Sequence, residues 1–146
     1  MRAIFAAVLV SASLLLALHA PAAQACGYCV EDKIASTYDH AVVTRALAQR
    51  HQIAYLHIDG LVASTAAKNE ETRRALAALG EATPGVDQGS VRVAVDTFTV
   101  SFAFDPKRAP LARVQAAFEK KLTAKKLSLM PLRIIDTPAE LKTVKR

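Results

Sequence analysis

Two neighbouring segments of alternating apolar residues restrict the fold of this chain more than any other feature. Val91, Val93 and Val95 alternate with Arg92 and Ala94. After a tight Asp96-Thr97 connection, Phe98, Val100, Phe102 and Phe104 alternate with Thr99, Ser101 and Ala103. A period of two is that of a strand with one face against a core. The pair therefore reads as a β-hairpin that ends at Asp105-Pro106.

The flanks supply what that hairpin needs. Residues 53–60 read as a strand with Ala54, Leu56 and Ile58 on one side and Tyr55, His57 and Asp59 on the other. Ser64 or Thr65 is expected to cap a helix running through Glu70, Glu71, Arg73 and Arg74 to Leu79, with Gly80 as its stop and Pro84-Gly85 as a turn. Beyond the hairpin, Pro110 opens a helix with Leu111, Val114, Ala117, Phe118 and Leu122 on one face. Residues 127–135 read as a last strand, in which Pro131 demands an edge position or a bulge.

The order β-α-β-β-α-β is that of a ferredoxin-like α+β sandwich, with two helices on one face of a four-stranded antiparallel sheet. Upstream, residues 30–52 carry Val30, Ile34, Tyr38, Ala41, Val42, Ala46 and Leu47 at helical spacing, which predicts one amphipathic helix. The sheet face opposite the two core helices holds Tyr55, His57, Ala94, Thr99, Ser101 and Ala103. Most are small, and the N-terminal helix is expected to lie across them.

Composition has to be read segment by segment. The chain has 146 residues, a 52% apolar fraction and a net charge of +6, yet no charged residue stands between Ala3 and Val30. Arg2 followed by the apolar run 3–18, a break at Pro21 and the small-x-small Ala23-Gln24-Ala25 reads as a signal peptide cleaved after Ala25. The apolar run falls short of the roughly 20 residues a spanning helix needs. The chain is thus expected to be periplasmic or secreted, with no stable membrane insertion once the leader is gone. A lipoprotein anchored at Cys26 is the alternative.

This divides the chain into a leader (1–25), a cysteine segment and helix (26–52), the ferredoxin-like domain (53–136) and a polar tail (137–146). Much of the basic excess lies in Lys120, Lys121, Lys125, Lys126, Lys142, Lys145 and Arg146. No aromatic residues are interleaved with these lysines for base stacking, so a solvated helix face and tail are expected, and no nucleic-acid partner.

Ile58-Asp59-Gly60-Leu61, the 75–79 helix end with Pro84-Gly85-Val86, the run 90–96, Thr99-Val100-Ser101-Phe102 and Asp105-Pro106 stand in an order that resembles the heavy-metal-associated domain family, across roughly residues 53–135. The resemblance implies a ferredoxin-like fold and the handling of soft metal ions. The family's Met-x-Cys-x-x-Cys loop follows that glycine. Here the residues are Leu61, Val62, Ala63, Ser64, Thr65 and Ala66, so no metal ligand is carried over to these positions.

The soft ligands stand elsewhere, in Cys26-Gly27-Tyr28-Cys29. A C-x-x-C pair leading into a helix benefits from the free N–H groups and dipole of the helix start, which favour a thiolate. Three readings follow. The pair can be a local disulfide of an oxidising compartment, closing too small a loop to stabilise much. It can exchange thiol for disulfide, since Cys-Gly-Tyr-Cys looks like the active-site motif of thioredoxin-superfamily isomerases, with Thr83-Pro84 as a cis-proline element. Against this, the strand at 127–135 has no place in that fold. Or Cys26 and Cys29 hold a soft ion, with Cu(I) preferred and a metal-transport or redox protein as partner. Two cysteines alone do not complete a tetrahedral zinc site.

Other donors are given lesser roles. His40 would sit roughly 16 Å from Cys29 along a continuous helix. His57 lies on the face the first helix is expected to cover, while His51 is read as complementing a helix end, Met130 as core or edge filler, and Tyr28 either as a shield for the cysteines or as a packing residue. Asp59, Asp96 and Asp105 read as turn residues. There is no phosphate loop, no serine elbow and no carboxylate pair with a defined site, so the reading points away from an enzyme of those kinds.

Overall fold

A computed structural model describes residues 29–140, so Cys26, Tyr28, the leader and the end of the tail lie outside the described residues. In chain order the elements are α1 (Val30–Thr37), α2 (His40–Ala48), β1 (Gln52–Asp59), α3 (Ala66–Glu81), β2 (Arg92–Ala94), β3 (Thr99–Phe104), α4 (Leu111–Leu122), a short 3-10 turn (Thr123–Lys125) and β4 (Ser128–Ile135). The strands form one four-stranded sheet in the order β2-β3-β1-β4, antiparallel throughout.

The sheet has two apolar faces. On one, Leu76 of α3 and Val114, Phe118 and Leu122 of α4 pack on Ala54, Leu56, Ile58, Val100, Phe102 and Phe104. The Phe102 ring meets those of Phe104 and Phe118 edge-on, with centroids 6.3 and 6.2 Å away. On the other face, Ile34 of α1 and Val43 and Ala46 of α2 close over Ile53, Tyr55, Ala103 and Ile135. Being covered from both sides, β3 is buried along its whole length.

The single helix expected over 30–52 is instead two. Tyr38 turns to an extended conformation and Asp39 takes the N-cap position of α2, its Oδ1 accepting from the N–H groups of Ala41 (2.9 Å) and Val42 (3.1 Å). An aspartate in this role satisfies donors that a new helix would otherwise leave open. The break lets both short helices lay an apolar side on the sheet.

Three further expectations are adjusted. Gly80 does not stop α3, which runs on to Glu81. A Cβ at Gly80 would meet Val91 Cγ1 at 2.9 Å and Phe118 Cζ at 3.1 Å, so the glycine is there for close packing. Phe98 leaves the apolar row and sits in the β2–β3 turn with a left-handed φ of 54°, its ring against His57. The Thr83–Pro84 bond is trans, as is every peptide bond among the described residues.

Pro131 meets both conditions set for it. β4 is an edge strand, and its register with β1 slips between Tyr55↔Arg133 and Leu56↔Pro131. Among the described residues, no helix is long and apolar enough to cross a membrane.

Candidate functional site

Cys29 is the residue from which α1 starts. Its backbone is extended, its carbonyl accepts from Lys33 N–H at 3.2 Å, and its side chain makes no capping hydrogen bond. The residue is exposed. Glu31 and Asp32 fill the first turn, where negative charge suits the helix dipole.

One contact fastens this turn to the sheet. Glu31 Oε1 accepts from Arg133 Nη2 of β4 at 2.8 Å. That hydrogen bond holds the Glu31 carboxyl below the usual carboxylate range. Two residues further, Lys33 Nζ lies 3.1 Å from His57 Nδ1 on β1.

His57 Nδ1 has a second neighbour, the carbonyl oxygen of Phe98 at 2.9 Å. One ring nitrogen cannot serve both. A bare Nδ1 would set its lone pair against the carbonyl's, whereas a protonated one donates to it, so we assign the Nδ1–H tautomer. Nε2 is then the basic nitrogen. Phe98 is held from the other side as well, its carbonyl accepting from Ile58 N–H at 2.7 Å. These two donors and the ring contact keep a bulky residue in the left-handed region, where it is normally disfavoured by about 1–2 kcal/mol.

Met130 pairs with His57 across β1 and β4, so the two side chains share the sheet face that α1 and α2 partly cover; Met130 remains 53% exposed. The structure thus places Lys33 of Cys29's helix and Met130 of β4 beside His57. Cys26 lies outside the described residues. His40 is not extended along a helix from Cys29, because the helix breaks at Asp39; its Nδ1 meets Tyr38 Oη at 3.2 Å. Among the described residues, no three His, Cys, Asp or Glu side chains are grouped to hold a metal ion.

A cluster that the sequence reading missed lies at the opposite end of β1. His51 Nδ1 is 2.6 Å from Asp87 Oδ2, and its Nε2 is 3.9 Å from Asp105 Oδ2. His51 therefore links the approach to β1 with the loops before β2 and after β3, a role beyond completing a helix end. Asp105 is also the turn residue expected, its Oδ1 accepting from Lys107 N–H at 2.9 Å. Nothing local in the sequence signals this cluster, since His51 and Asp87 stand 36 residues apart.

No protein-family model, curated protein or solved structure matches this chain. The likeness to heavy-metal-associated domains rests on the residues quoted for it.

Proposed function

We propose that this chain is an exported soft-metal-binding protein that carries Cu(I), or another soft ion, between Cys26 and Cys29 on a ferredoxin-like scaffold. The observation that carries the reading is an exposed Cys29 at the head of a helix fastened to β4 by Glu31–Arg133 and packed on the sheet through the buried Ile34. A cysteine so held is reachable by a partner while its helix stays in register. Thiolate is the donor that soft ions select. Two thiolates around a monovalent ion carry a net negative charge, and Lys33, one helical turn from Cys29, supplies a nearby cation.

The strand order supports the scaffold. β2-β3-β1-β4, with crossover helices α3 and α4 on one face, is the order a βαββαβ unit produces. α1 and α2 are then an addition that covers the second face. The metal-transport or redox partner would approach from the Cys29 side, in the periplasm or outside the cell after removal of residues 1–25. Lipidation at Cys26 would consume one of the two thiols.

The competing reading is thiol–disulfide exchange by the same pair. β4 weighs against it, since this strand pairs with β1 along nearly its full length and has no counterpart in a thioredoxin-like core.

The test uses the chain purified after export, reduced under anaerobic conditions and titrated with Cu(I) against a competing chelator. One-to-one binding that disappears in Cys26→Ser/Cys29→Ser supports the proposal, and equal binding in both proteins overturns it. Insulin reduction by the dithiol form, without tight Cu(I) binding, would establish the redox reading in its place.

A further inference from the structure

The end of the sheet that carries His51 also carries a cleft. The loop before β2 is clamped to the end of β3, with Asp87 N–H donating to Ala103 O at 2.9 Å and a bridge between Val86 and Phe104. Gly85 rests directly on α4, where a Cβ would stand 2.9 Å from Val114 Cγ2, and its φ of 93° suits glycine. The facing loop is fixed by Asp105, whose carbonyl accepts from Arg108 N–H and Ala109 N–H, both at 3.1 Å. Between these walls lies a cleft of about 330 Å³ lined by Asp87, Asp105, Arg108, Ala109, Arg113 and Ala117, among others. That volume is within the range of small-molecule sites.

The charges in this cleft are not paired with each other. Asp87 and Asp105 face His51, whereas the guanidinium groups of Arg108 and Arg113 have no hydrogen-bond or carboxylate partner among the described residues. Guanidinium groups present planar, forked donors that match an oxyanion. Ala109 and Ala117 are too small to fill the space between them.

We propose that this cleft binds a small organic oxyanion that also carries a hydrogen-bond donor. Arg108 and Arg113 hold the carboxylate or phosphate, and Asp87 and Asp105 accept from a hydroxyl or amino group on the same molecule. The aspartates set the selectivity, because a second anionic group at that end would be repelled. The site is independent of the cysteines.

The probes are glycolate, acetate and inorganic phosphate, each titrated into the ¹⁵N-labelled exported chain while amide shifts are followed. Saturable shifts confined to Gly85, Asp87, Arg108 and Ala109 are expected, with glycolate binding more tightly than acetate. Phosphate reports whether the oxyanion is read as phosphate or as carboxylate. Arg108→Gln/Arg113→Gln should weaken binding at least tenfold, and Ala109→Leu should block it by volume. Lys120→Gln and Cys26→Ser/Cys29→Ser should leave it unchanged. Absence of saturable shifts with all three probes, or equal shifts in the double arginine variant, overturns the proposal.

Discussion

Asp39 and Arg92 are joined through a single oxygen: Asp39 Oδ2 accepts from Arg92 Nε at 2.9 Å and lies 2.8 Å from Nη2 in the same ion pair, while Oδ1 caps α2. One carboxylate therefore starts a helix and fastens it to β2. The N–H groups at the cap, Val42 first, together with Arg92, hold its pKa below the ordinary value of 3.8. A depressed carboxylate stabilises the fold above its unfolded pKa, and that contribution is lost as the pH falls through the folded value. Stability should therefore drop on the acid side of about pH 4. Asp39→Asn, which keeps the cap but not the charge, should flatten that limb in urea unfolding followed against pH, and Asp39→Ala should cost about 1 kcal/mol at neutral pH. Superimposable acid limbs for the native chain and Asp39→Asn would contradict this.

In the layer between the N-terminal helices and the sheet, two buried hydroxyls, Tyr55 Oη and Thr37 Oγ1, have no hydrogen-bond partner among the described residues. Tyr55 is 1% exposed, and burial pushes its phenol pKa up. A buried polar group without a partner costs its desolvation. Tyr55→Phe and Thr37→Val should each leave stability unchanged or raise it by about 1 kcal/mol. Chemical denaturation reads this directly, and a loss above that size in Tyr55→Phe would mean the hydroxyl is satisfied after all.

Gly80 sets two effects against each other. Alanine in a helix is favoured over glycine by about 1 kcal/mol. Here the added methyl would press on Val91 and Phe118, both buried, and overpacking costs about 1–3 kcal/mol. Gly80→Ala should therefore be net destabilising, by about 1 kcal/mol. A rise in melting temperature would show that Val91 yields at little cost.

The tautomer assigned to His57 can be read by long-range ¹H–¹⁵N correlation, with Nδ1 expected to carry the proton. The opposite pattern would make Lys33, not the Phe98 carbonyl, the partner of that nitrogen. It would also leave Phe98 with one fewer donor to hold its unusual backbone.

The elements that were legible in the sequence are those whose side chains obey one rule. Val100, Phe102 and Phe104 alternate because β3 is a strand, and Val114, Phe118 and Leu122 recur because α4 has one buried side. The break between α1 and α2 was hidden because Ile34, Val42 and Ala46 keep helical spacing across it; only the capping chemistry of Asp39 marks the interruption. Phe98 obeyed the alternation and still left the row, since the turn required a left-handed residue whose carbonyl two neighbours could reach. His51 and Asp87 are 36 residues apart, and no local pattern announces a contact made by the fold. For the cysteines, local spacing identified the pair, and the structure adds only how the helix behind Cys29 is moored.

The two open margins of the sheet carry one more consequence. β2 is three residues long, and β4 is interrupted by a proline, which lacks an N–H, and by the register slip beside it. Neither margin offers an incoming chain an unbroken run of donors and acceptors. Strand-by-strand growth into fibres is thereby denied a template at both sides, so crowding many copies into one compartment does not invite their sheets to fuse.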